Sequence, residues 1–162
     1  MQNMADTFYA TLRDRLASVN AGRVVAVRGQ LRPAVVVDEN EMPEQATDAG
    51  VFHLRWGARR TDRGGALPMV TAECVITFRS SGADAQSILA RGRQRNAMCA
   101  ELDAMLLPAM AVKKAFSGSG AVAMATNIFW CEQGERVVKE KGELLETTAT
   151  VLVMSYLEEG ER

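Results

Sequence analysis

A chain of 162 residues is the size of one ordinary domain, long enough to bury a core without disulfides or metals. Hydrophobic residues at 48% and charged residues at 24% sit near the globular average, and a net charge of −1 gives no overall pull toward nucleic acid or a membrane surface. No apolar run approaches the ~20 residues needed to span a bilayer, and the opening MQNMADTF lacks the basic and apolar regions of a signal peptide, so a soluble cytosolic domain is expected.

In chain order, Phe8, Leu12, Leu16 and Val19 recur at helical spacing with Ala5 and Tyr9 beside them. They predict an amphipathic helix that ends near Gly22 in a left-handed C-cap. VVAV and AVVV read as two short strands separated by the turn-like RGQLRP, with Pro33 pushing the second toward an edge or a bulge. From Asp38 to Gly50 the chain holds five acidic side chains and no basic one, the pattern of a solvated acidic loop. Asp38, Asn40 and Glu41 supply oxygens suited to a hard cation, but the calcium-loop pattern with its central glycine and terminal glutamate is absent, and no metal is expected.

Phe52, Leu54 and Trp56 alternate with His53 and Arg55, which predicts a strand. GARRTDRGGALP follows as a long, flexible, basic hairpin carrying Arg59, Arg60 and Arg63. It matches neither a phosphate loop nor a dinucleotide fingerprint. VTAECVITF is the next strand, its alternation broken only by Val75. A long helix is expected to open at Ser81, with Asp84 completing a capping box, and to stop by Leu107 because Pro108 follows. Its apolar stripe carries Ile88, Gly92, Cys99 and Leu106, with Leu102 alongside and Met98 and Met105 beyond. Arg95 falls inside that sector and Arg91 at its border, which fits either a snorkelling stem or a charged subunit contact. AMAVKKAFSGSGA reads as a connection and AVAMATNIFWCE as a strand with Val122, Met124, Thr126, Ile128 and Trp130 on one side. A turn at Gly142 leads to LLETTATVLVMSYLEE, a last strand apolar on both faces in its middle. One of those faces is expected to meet the helices, and the other something outside the chain.

Cys74, Cys99 and Cys131 are widely spaced and each embedded in an apolar pattern, as buried reduced thiols are. His53, the single histidine, points away from the apolar row of its strand. With no convergent acid, base and nucleophile, neither a catalytic site nor a cofactor is expected. Two other classes stay open: a small-molecule-binding domain or enzyme with a pocket between sheet and helix, and a nucleic-acid binder using Arg59, Arg60, Arg63, Arg91, Arg93 and Arg95. The second lacks a known motif and a basic net charge.

The expected fold is a single α+β domain over residues 1–162, a largely antiparallel sheet with two helices on one face and a long hairpin. The succession of MADTFYATLRDRLASV, then VFHLRW and VTAECVITF flanking the hairpin, the long helix, and finally NIFWCE and ETTATVLVMSY resembles the tail-terminator or tail-completion proteins of long-tailed phages. The resemblance implies a structural subunit of a homo-oligomeric ring, a hexamer in that family, which caps the tail tube and joins it to the head. It also implies a tail-tube protein and a head-tail connector as partners, DNA only as passing cargo, no membrane, and a place in the virion tail after assembly in the host cytoplasm. The family has no catalytic residues to carry over. Opposite charges on Arg59, Arg60 and Arg63 and on Asp38, Glu39 and Glu41, with Arg91 and Arg95 on the long helix, make these eight residues the candidate interface.

Overall fold

A computed structural model of the chain describes residues 2–37, 49–81 and 89–161. Among the described residues there are two helices, α1 (Gln2–Val19) and α2 (Ala90–Leu106). The strands are β1 (Val24–Val27), β2 (Gln30–Pro33), β3 (Val35–Val37), β4 (Phe52–Asp62), β5 (Met69–Ser81), β6 (Met110–Ser117), β7 (Gly120–Lys141) and β8 (Leu144–Tyr156). β1 and β2 pair only with each other, and the rest form one sheet in the order β3-β4-β5-β8-β7-β6. Every pairing in it is antiparallel except that of β3 with β4. The fold is therefore α+β with a mostly antiparallel sheet. No described helix is long and apolar enough to cross a membrane.

The sheet curls, and Phe8 shows why. Its ring meets Trp56 of β4 at 5.9 Å and Trp130 of β7 at 5.3 Å, both edge-on. Those tryptophans lie three strand spacings apart, roughly 14 Å in a flat sheet, so one phenylalanine can touch both only if the sheet bends around α1. Period-2 burial follows: Val70, Ala72, Cys74, Ile76 and Phe78 on β5 and Ala149, Val151 and Val153 on β8 close over Phe8, Leu12 and Leu16. Both edge strands, β3 and β6, come to rest against α1. At β6 the helix caps the open edge, since the Thr7 hydroxyl accepts the N–H of Lys114 (2.9 Å) and donates to Asn3 O (2.6 Å).

A polar cluster ties the end of the chain to this edge. Lys113, opposite a bulge of β7 at residues 124–126, shares the inward face of β6 with Ala111 and Ala115, and its buried ammonium donates to Tyr156 O and to Glu161 Oε2, each at 2.6 Å. Glu158 takes over where β8 runs out, its carboxylate accepting the N–H groups of Ala125 (3.2 Å) and Thr126 (2.8 Å) on β7. A second cluster joins the helices: Glu101 of α2, nearly buried, pairs with Arg23 and accepts from the Asn20 amide at 2.7 Å.

Several expectations need correcting. Gly22 is not in the left-handed region, because α1 ends in a side-chain turn in which Asn20 Oδ1 accepts the Gly22 N–H (3.1 Å), and Val19 is exposed. The turn between VVAV and AVVV is only Arg28–Gly29, both with positive φ, and QLRP is itself a strand paired with β1. β4 continues past Trp56 through a bulge to Asp62, which leaves residues 63–68 as the connection to β5. Ser81 lies in β5, in register with Leu144, its N–H bonded to the Gln94 side chain (2.6 Å), so it does not open the helix. The described part of α2 has Leu89 as its N-cap, and Asp84 and Ile88 lie outside the described residues. The buried face of α2 is Met98, Glu101, Leu102, Met105 and Leu106, rotated away from the expected stripe through Gly92 and Cys99. AMAVKKAFS is a strand, where an irregular connection was expected, because its inward row is Ala111, Lys113 and Ala115 while Met110, Val112 and Phe116 face outward, so no apolar row marks a buried side. On β7 only Ile128 and Trp130 of the expected row are buried, since β8 stops at Tyr156 and leaves Val122, paired with Ala115 of β6, and Met124 without a strand on their other side.

Candidate functional site

The outward residues of the sheet form the first surface. Register carries one row across five strands, Met110–Phe129–Met154–Thr71–Arg60. The row is apolar at β6, β7 and β8 and turns basic at β4. Phe129 remains 38% exposed and Met110 47%, with Val112 and Tyr156 exposed nearby in sequence and register. A sheet face this apolar leaves side chains in water that would each gain ~1.5–3 kcal/mol by burial.

The β4–β5 tip is the second surface. Arg55, Arg59, Arg60 and Arg63 are all exposed, and no ion pair among the described residues holds the last three. Asp62 turns its carboxylate onto the N–H of Gly64 (2.9 Å), which shapes the turn and leaves the guanidiniums outward. Leu67 stands 46% exposed at the apex. The bulge after Trp56 uses Gly57 because a Cβ there would come 3.1 Å from the Glu73 carboxylate of β5.

The end of α2 is the third. Its last carbonyls are satisfied from outside the helix: Arg15 donates to Met105 O and Pro108 O, both at 2.8 Å, and the Trp130 indole N–H to Leu106 O at 2.8 Å. Arg15 also lies over the Trp130 ring, 5.1 Å from its centroid, and burial lowers its pKa from the ordinary arginine value. Beside this helix end lies a pocket of about 250 Å³ formed by Leu106, Leu107, Ala109, Trp130 and Cys131, with the carboxylates of Asp103 and Glu132. Arg136 bridges those two acids and donates to Cys99 O (3.3 Å). Hydrogen bonds to Glu132 first, and then to Asp103, raise its pKa against the cost of burial.

The other sequence-predicted residues fall as follows. Arg91 pairs with Glu140 of β7 at 2.8 Å, and Arg95 donates to Thr147 of β8 at 3.3 Å, so both are engaged within the chain. Asp38, Glu39 and Glu41 lie outside the described residues. His53 is half-buried on the face opposite Phe52 and Leu54. Of the cysteines only Cys74 is buried; Cys99 is half-buried and Cys131 exposed, which corrects the expectation of three buried thiols, and none is in a disulfide. Among the described residues no three His, Cys, Asp or Glu side chains cluster as metal ligands.

Sequence reasoning missed the α2 pocket and Leu67. The pocket depends on Trp130, Leu107 and Asp103 meeting across two elements, which no local pattern signals. Leu67 was visible only as a large apolar residue beside two glycines in a basic connection. No protein-family model matches the chain, and no curated protein is similar to it in sequence.

Proposed function

We propose that the chain is a structural subunit of a phage tail or a related injection machine, of the tail-terminator type. It assembles as a homo-oligomeric ring, a hexamer by that resemblance, which caps the tail tube and meets the head-proximal connector while DNA passes as cargo. In this reading α1 and α2 back one face of the sheet, and the other face and the long β4–β5 hairpin are left for neighbouring subunits and tail proteins.

The observation that carries the reading is the outward row Met110–Phe129–Met154, apolar across three neighbouring strands and ending at the basic β4. A sheet face of this kind suits assembly better than a life in water. Light scattering on the purified chain, alone and with a tail-tube protein from the same genome, is the test. The expected result is a homo-oligomer, or a monomer that becomes one on the tube, with Phe129→Asp weakening either. A particle that stays monomeric in both settings overturns the reading.

A further inference from the structure

We infer that the β4–β5 tip of one copy seats in the α2 pocket of the next copy, with Leu67 entering the apolar floor and Arg59, Arg60 and Arg63 meeting Asp103, Glu132 and Glu135. This deepens the ring reading and rests on it. The two surfaces are complementary in plan. The tip has an exposed leucine flanked by exposed guanidiniums that make no ion pair among the described residues. The pocket has a floor of Leu106, Leu107, Ala109 and Trp130 flanked by carboxylates, with Asp103 62% exposed and Glu135 exposed in the adjoining bulge of β7. Arg136, and Arg15 over the Trp130 ring, offset two of the three negative charges, and the one in excess matches the sign of the tip.

A copy cannot satisfy its own pocket. Trp130, Cys131 and Glu132 are in register, through Val153, Leu152 and Val151 of β8, with Ala72, Glu73 and Cys74 of β5, whereas the tip begins beyond Met69, so β4 and β5 carry it along the strands away from the pocket and hold it there by their register. The contact is therefore made between copies. Because tip and pocket are different surfaces, it is heterologous, the class of contact that closes into a ring when the rotation allows. An apolar centre with opposed charges around it also gives each copy one partner orientation.

The experiment uses the full chain and two charge-reversed variants. One is R59E/R60E/R63E; the other is D103K/E135K, which leaves Glu132 to hold Arg136. Each alone presents like charges at the contact and is expected to associate about tenfold or more weakly than the wild type at low salt. Mixed in equal amounts they restore complementarity at every contact, and light scattering should recover the wild-type particle with the two variants alternating. Wild-type assembly should weaken as salt rises. Leu67→Asp, at an exposed turn, is expected to weaken association by a similar factor. If the wild type assembles and the reversed variants assemble as well as it does, or if mixing restores nothing, the tip-to-pocket contact falls while the ring reading stands. If the wild type stays monomeric with and without a tail-tube protein, both fall. Should a reversed variant melt far below the wild type, normal assembly of Leu67→Asp is itself enough to overturn the contact.

Discussion

At the scale of single residues, Lys113 carries the sharpest energetic consequence. Its side chain is 1% exposed, and that of its partner Glu161 7%. At that depth a carboxylate and a carbonyl take the place of the water that solvates an exposed ammonium. Lys113→Met removes the cation and leaves the carboxylate, and losing one partner of a buried pair is expected to cost ~3–5 kcal/mol, which urea denaturation measures. The same cluster sets a pH dependence. Burial would raise the Glu161 carboxyl, but hydrogen bonds from the Glu158 N–H, Lys113 and Asn3 outweigh it and hold it below the ordinary glutamate value of 4.5. Glu158 is held down chiefly by the hydroxyl and N–H of Thr126. A folded-state pKa below the unfolded one gives stability that is complete above the unfolded value and lost as pH falls through the folded one. Melting temperature is therefore expected to drop below about pH 4.5, and less steeply in Glu161→Gln. Identical slopes in the two proteins would show that Glu161 does not contribute.

At the scale of elements, the edges of the sheet decide what had to be built. β6 would offer its backbone to any passing strand, and α1 blocks it with Thr7. Thr7→Val keeps the shape and removes the hydroxyl, so the Lys114 N–H loses its partner. The expected cost is about 1–3 kcal/mol, with faster hydrogen exchange at that amide by NMR. Elements that keep one register along their length were legible in the sequence: β5, despite Val75, and the β-branched β8 bury every second residue, and Phe8, Leu12 and Leu16 mark the inner face of α1. Others were not. The one-residue bulge after Trp56 shifts the alternation of β4, so its second half looked like a loop, and β6 carries Lys113 in its inward row with its large apolar side chains facing outward, so it looked like a connection. The start of α2 was misplaced because Ser81 resembles a cap, whereas it lies in β5 opposite Leu144 and gives its N–H to the Gln94 side chain. Of the candidate site, the exposed arginines could be read from charge and glycine content. The pocket could not, because Asp103 and Glu132 meet only through Arg136.

At the scale of the whole molecule, the curl around α1 makes Phe8 the residue on which both halves of the sheet converge. Phe8→Ala is expected to cost ~3–5 kcal/mol, and because the cavity lies between Trp56 and Trp130, tryptophan fluorescence should change in the native state as well. The strand order has a consequence for how the protein is made. β8 is the last strand in the chain, yet it lies inside the sheet, and β3–β4–β5 joins β7–β6 only through it. On the ribosome, the two half-sheets must wait with an open edge apiece until Tyr156 has been added. From the end of β5 that interval lasts about 4–15 s at typical rates of synthesis. Chaperone demand should therefore peak between the synthesis of β5 and that of β8, and a stop codon before Leu144 leaves two half-sheets with nothing to join them.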